Sequence, residues 1–187
     1  MLKLGKIYLI RHGQDEDNAR GILNGHRNKP LTRLGISQAR EAGDKLKNKN
    51  IEIIVSSPLR RAKQTAATIA KALGIKKVYL ETDLRERDFG VLTGKLVKEI
   101  PFYAEKYIRI NSSIYFTKGK GIESFSATLK RAKSILKKLK KAHIGKNLLF
   151  VSHGDLSCMM LAGERGMSWK RGLEKWDGIK NAQIIKL

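Results

Sequence analysis

IYLIRHG (7–13) and LLFVSHG (148–154) are one construction written twice: four apolar residues, one polar residue, then His-Gly. A run that is apolar at every position is a strand covered on both faces, as in a parallel sheet with helices above and below. In such sheets ligands gather where the chain leaves the carboxyl ends of the strands, which is where both histidines stand. The glycine after each lets backbone N–H groups approach a bound anion. IIVSSPLRR (53–61) repeats the logic and carries Arg60 into the first turn of a helix directly after its strand.

Working outward, strands are predicted at 6–10, 51–57, 76–82, 147–153 and 181–187. Helices are predicted at 31–48, opened by Thr32, and at 58–74, with proline in its first turn and glycine at its end. A basic helix runs to about 143 with Ala132, Ile135, Leu136 and Leu139 on one stripe, and a short helix covers 155–165. The stretch 83–94 reads as irregular, and 95–118 as helical with poor patterning. The alternation predicts an α/β fold, a three-layer α/β/α sandwich around a mostly parallel sheet, with residues 1–187 as a single domain.

Composition narrows the function classes. The chain of 187 residues is long enough for one sizeable core, and its three prolines leave no long linker. MLKLGKIYLIRHG breaks its apolar run too early for a secretory leader, and no stretch reaches the roughly 18 apolar residues of a spanning helix. One cysteine, Cys158, excludes an intramolecular disulfide and a multi-cysteine zinc site, so a reducing, cytoplasmic setting is expected. The formal charge of +22 is scattered rather than clustered. With no aromatic interleaving of the kind that stacks bases, specific nucleic-acid recognition is not expected, although non-specific anion binding at low salt is. Oligomeric state has no signature here.

Arg11, His12, Arg60 and His153 can thus converge on one face. Arginine forks match phosphate oxygens, and a neutral imidazole beside a guanidinium is a nucleophile near pH 7. The set suits phosphoryl transfer through a phosphohistidine, with an acid for the leaving group still to be found. Blander readings exist for single residues: Glu86 sits among Arg85, Arg87 and Asp88 and suits a surface ion pair, and Asp15-Glu16-Asp17 lies too far past the strand end for an aspartyl nucleophile or metal cluster. Cys158 reads as core, and His26 and His143 as surface residues.

RHG (11–13), Asn18, GILNGHRNKPLTRLGISQA (21–39), SSPLRRAKQTA (56–66), LRERDFGVLTG (84–94), GIES (121–124) and SHGD (152–155) together resemble the histidine phosphatase superfamily, which includes the cofactor-dependent phosphoglycerate mutases and many small phosphomonoesterases. The resemblance spans most of the chain in order, leaving only about 95–120 unsupported. It implies His12 as nucleophile, Arg11, Arg60 and His153 as the phosphate clamp, and Glu86 as proton donor and then base. Leu84 and Phe89 are expected to raise the Glu86 pKa. Asn18, Asn24, Gly25 and Gly154 match positions that contact phosphate or substrate. No metal is implied, and 2,3-bisphosphoglycerate is a cofactor only in the mutase case.

Against the mutase branch, its tyrosine position is Phe89, its lysine position is Val97, and the short segment before Glu123 offers only Arg109 for a substrate carboxylate. Asp155 also replaces the small residue usual there. Phosphomonoester hydrolysis of a small phosphorylated metabolite is therefore the favoured activity, with mutase activity as the alternative. The remaining alternative is a non-catalytic protein that binds a phosphorylated ligand or nucleic acid.

Overall fold

The computed structural model describes residues 5–187; the first four residues of the leader reading lie outside the described residues. Five strands form the central sheet: β1 (Ile7–Arg11), β2 (Ile53–Ser56), β3 (Val78–Leu80), β6 (Leu148–Ser152) and β7 (Ile184–Lys186). Their order is β3-β2-β6-β1-β7, parallel except for β7, which runs antiparallel to β1 at one edge. The helices α2 (Arg33–Leu46) and α3 (Arg60–Leu73) cover one face, packing on Tyr8, Ile10, Ile54, Leu149 and Val151. The opposite face, with Leu9, Val55, Leu148 and Phe150, is covered by α5 (Phe125–Ala142) and α6 (Gly154–Glu164). The predicted three-layer α/β fold is what forms.

Local chemistry sets these bounds. The Thr32 and Ser124 hydroxyls accept from the backbone N–H of Gly35 and Ala127 and start α2 and α5. Gly74 ends α3 at φ +68°, a conformation that costs glycine little. Pro58 lies before α3 rather than inside it, because Leu59 is the extended cap residue and its N–H is taken by the Ser57 hydroxyl at 3.3 Å.

Register places the site. Arg11 pairs with Ser152, and Ser56 pairs with Val151, so His12, Ser57 and His153 leave neighbouring strands side by side. After β1 the chain turns to the α2 face, whereas after β6 it turns to the α6 face, which opens a crevice between them.

The helical reading of 95–118 is wrong. Only α4 (Ile100–Tyr103) is helical there beyond a 3₁₀ turn at Val97–Glu99; β4 (Lys106–Ile110) and β5 (Ser113–Lys118) then form an antiparallel hairpin. KYIRI and SIYFTK are rich in β-branched and aromatic residues, and Asn111 takes φ +50° at the turn. Phe116 from the hairpin joins Phe89, Leu92 and Ile100 in a small third cluster that props it beside the crevice. Two short helices also escaped the sequence reading: α1 (Glu16–Ala19) and α7 (Trp169–Lys175).

Candidate active site

His12 is 2% exposed at the end of β1. Its Nδ1 faces the Gly13 carbonyl at 2.7 Å, which requires the proton on Nδ1 and leaves the lone pair on Nε2. Nε2 accepts from the Arg61 Nε at 3.1 Å. Burial, then the Arg61 and Arg11 guanidinium groups, push the His12 pKa well below its ordinary value, so the imidazole is neutral at neutral pH. A backbone close-fit fixes the loop: a Cβ on Gly13 would stand 2.4 Å from the Gly35 carbonyl oxygen, so α2 packs hard against it.

Arg61, not Arg60, is the second arginine. Arg60 is exposed, and its backbone N–H donates to Asn28 on the surface. Because α3 starts only at Arg60, the inward stripe runs Arg61, Thr65, Ile69, all fully buried. With Ser57 as its serine, the S-x-L-x-R-A pattern also has its arginine at 61. The Arg61 guanidinium donates to the carbonyls of Arg27 (2.7 Å) and Gly25 (2.8 Å), and its Nε lies 3.3 Å from the Asp15 carboxylate. Asp15, fully buried, also accepts from the Asn18 N–H and from Asn24 Nδ2. Burial lifts its pKa, while those donors and Arg61 pull it down.

Asn24 and Gly25 therefore hold Arg61 in place, Asn24 through Asp15 and Gly25 through its carbonyl, while Asn24 also borders the cleft. Gly25 sits at φ +45°. Asn18 lines the cleft and accepts from Asn181, whose amide also donates to the His12 carbonyl.

Two buried donors point to an anion. Arg11 donates through Nη1 to the Ile179 carbonyl at 2.6 Å, but its Nε has no partner among the described residues. His153 contacts the Ser57 hydroxyl through Nε2 at 2.8 Å and leaves Nδ1 without a partner. Its ring centroid lies 5.1 Å from that of His12, and burial together with Arg61, His12 and Arg11 pushes its pKa well down. Buried polar groups left open in this way are costly unless a ligand completes them. Phosphate oxygens are acceptors of the kind that would do so. Gly154 borders that space: a Cβ there would be in ordinary contact with Glu86 Oε2 at 3.7 Å and Arg11 Cζ at 3.8 Å.

Glu86 is buried beside Gly154, and its carboxylate accepts from the backbone N–H groups of Arg87 (2.9 Å), Leu156 (3.1 Å) and Asp155 (3.3 Å). Burial, then the neighbouring Asp155 carboxylate, raises its pKa against the opposing pull of those N–H groups and Arg61. Leu84 and Phe89 are buried too, and Asp155 is a raising influence that the sequence did not suggest. From behind, the Glu86 carbonyl contacts His26 Nε2 at 2.8 Å, so His26 is half-buried and partnered, not a bare surface residue. Arg131, paired with Glu123, donates to the carbonyls of Asp83 and Arg85 and fixes the same segment.

A cleft of about 530 Å³ opens beside these groups; His12, Arg61 and His153 are buried and lie outside its lining. Arg11, Glu86 and Gly154 are in its floor, and Val97, Ile100 and Arg109 with the hairpin residues Ser112–Tyr115 form a wall. Sequence reading missed Arg61, Asp15, Ser57, Thr65 and Asn181. For Arg61 the signal was present in the i, i+4 stripe; Asn181 comes from a loop before β7 and carried none. Among the described residues no cluster of three or more His, Cys, Asp or Glu side chains is placed to hold a metal ion.

Residues 7–187 match the histidine phosphatase superfamily (branch 1), and the chain belongs to that family. It is 37% identical over 150 residues to a Hydrogenobacter thermophilus protein provisionally named phosphoserine phosphatase 2, covering 80% of this chain and 73% of that one. It is 33% identical over 159 residues to a Photorhabdus laumondii protein provisionally named phosphoglycerate mutase, covering 83% and 73%. Among solved structures, the phosphoserine phosphatase from Entamoeba histolytica in complex with 3-phosphoglyceric acid superposes with a TM-score of 0.80 at 30% identity, over 98% of this chain and 90% of that one.

Proposed function

We propose that the protein hydrolyses phosphomonoesters of small metabolites through a phosphohistidine on His12. The observation that carries this reading is the neutral His12 with its Nε2 lone pair against Arg61, in a pocket where Arg11 Nε and His153 Nδ1 await an acceptor. When phosphate enters, the Arg61 Nε–H passes from His12 to a phosphate oxygen, and the freed Nε2 lone pair attacks phosphorus as the ester P–O bond breaks. Arg11, Arg61 and His153 hold the equatorial oxygens as charge shifts onto them. Glu86, whose pKa burial and the Asp155 carboxylate raise, gives its proton to the departing oxygen. The carboxylate then takes a proton from water, whose oxygen attacks phosphorus, breaks the P–N bond and releases inorganic phosphate. These steps call on no metal or bound cofactor.

Arg109, exposed on the hairpin and lining the cleft, supplies one cation beyond the phosphate clamp, which favours a substrate with a second anionic group. The relatives' names and the 3-phosphoglyceric acid complex support that class. Phosphoglycerate mutase activity is the second reading. It is disfavoured because Arg11 and Arg109 are the arginines in the cleft lining, and one of them serves phosphate. A lone cation holds a bisphosphorylated intermediate weakly, so water captures the phosphoenzyme.

The remaining features fit a cytoplasmic enzyme: Cys158 is free and buried, and no described helix is long and apolar enough to cross a membrane. The charge of +22 draws anionic substrates and, at low salt, nucleic acid non-specifically. Phosphorus NMR with 3-phosphoglycerate, a trace of 2,3-bisphosphoglycerate and EDTA tests the reading. Free phosphate as the main product supports it, and 2-phosphoglycerate formed faster than phosphate makes the protein a mutase.

A further inference from the structure

Asp155 touches no reacting atom in the steps above, yet it lines the same cleft and its side chain is 18% exposed. One carboxylate oxygen, Oδ2, is fixed at 2.8 Å by Arg87 Nε. Arg87 cannot follow any movement of that carboxylate: it is fully buried, donates to the Glu123 carbonyl, and stacks 4.1 Å from the centroids of both Phe116 and Phe125. The other oxygen, Oδ1, receives no hydrogen bond from any described residue. Asp155 is thus a rigid half-used acceptor in a cleft that also presents Arg11 and Arg109.

Its neighbour is Glu86, the carboxyl that protonates the ester oxygen: the Asp155 backbone N–H donates to Glu86 Oε2 at 3.3 Å, and both residues line the cleft in which the rest of the ester must lie. A carboxylate there opposes a substrate that carries only negative charge. It favours a positive group within its reach, because a charge-assisted hydrogen bond in a sheltered cleft is among the stronger polar contacts.

We propose that Asp155 receives an ammonium group of the substrate, so that with Arg109 across the cleft the enzyme selects an amino-bearing phosphomonoester, a reading that rests on the phosphomonoesterase assignment above. The test compares phosphoserine with 3-phosphoglycerate, which differ in an ammonium against a hydroxyl on the middle carbon. Wild-type kcat/KM is expected to favour phosphoserine by about tenfold or more. In Asp155→Asn, which keeps an acceptor for Arg87, the ratio is expected to fall close to one.

No preference in the wild type overturns the proposal. So does a preference that survives Asp155→Asn, or an equal loss on both substrates, which would make Asp155 a prop for Arg87 alone. The achiral pair 2-aminoethyl phosphate and n-propyl phosphate repeats the comparison on wild-type protein without any effect of configuration, and decides the matter should the variant not fold: equal rates overturn it. Phosphate release from these esters without ammonium preference removes this proposal and leaves the phosphomonoesterase reading standing. If neither they nor p-nitrophenyl phosphate release phosphate, both fall.

Discussion

The pocket at the strand ends and the hairpin wall above it are built on opposite principles. In the pocket, nearly every polar atom is held by another: Arg61 by two carbonyls and Asp15, His12 by Gly13 and Arg61, Glu86 by three backbone N–H groups. Among the buried polar atoms left open, Arg11 Nε and His153 Nδ1 flank His12, where a phosphate would fill them. On the wall, Arg109 is exposed, and the neighbouring Phe102 and Val97 are 83% and 43% exposed. The contrast teaches that chemistry here is paid for by burial, whereas selectivity rests on side chains that can change without disturbing the core.

That contrast breaks most sharply at Arg61 and Arg60, adjacent in sequence and opposite in setting. Arg61→Ala removes a phosphate donor and leaves Asp15 buried without its cation, so we expect kcat to fall by about 10²–10³-fold and stability by about 3–5 kcal/mol. Arg60→Ala is expected to change steady-state rates less than about threefold and stability by no more than about 0.5 kcal/mol. Matched kinetics and urea denaturation check both. Similar losses from the two variants would dissolve the distinction between inward and outward faces of α3.

Glu86→Gln, without the loss of stability expected of Arg61→Ala, is expected to lower kcat on alkyl phosphates by about 10²–10⁴-fold. The loss on p-nitrophenyl phosphate should be smaller, since that leaving group needs little protonation. The sign of the pH dependence follows from the direction of the shift. With its pKa raised, Glu86 stays protonated to higher pH than an ordinary carboxyl, and phosphorylation is lost as pH rises through that raised value. His12, pushed the other way, loses its lone pair only well below its ordinary value, so the acid limb is displaced to low pH. A pH profile of kcat/KM in which Glu86→Gln lacks the descending limb bears this out.

The smallest effect belongs to the wall. Arg109→Ala is expected to raise KM for carboxylate-bearing phosphates by about tenfold with kcat nearly unchanged, and to leave p-nitrophenyl phosphate turnover alone. A large fall in kcat would place Arg109 inside the chemistry instead of at its rim.

How legible each region was in the sequence follows the same division. The strand-His-Gly echo works because a doubly buried strand must be apolar throughout, so the first polar residues after it mark the sheet edge; Arg11, His12 and His153 stood out for that reason. Glu86 came only with the family resemblance, since nothing in its own surroundings in the sequence sets it apart from a surface ion pair. Arg60 was misassigned because a helix face is known only once its first residue is, and Pro58 had been placed inside the helix when Leu59 caps it. Asp15, Ser57 and Asn181 act across long separations in the chain, which local patterning does not register. The hairpin was hidden by its brevity: KYIRI and SIYFTK are each half-buried and too short for either period to dominate.

The central claim is tested most directly by trapping the enzyme during turnover and mapping the phosphate by peptide mass spectrometry. The account predicts an acid-labile, alkali-stable phosphoryl group on the peptide bearing His12, formed in the presence of EDTA and absent from His12→Ala. Turnover that persists in His12→Ala, or phosphate carried on another residue, would contradict it.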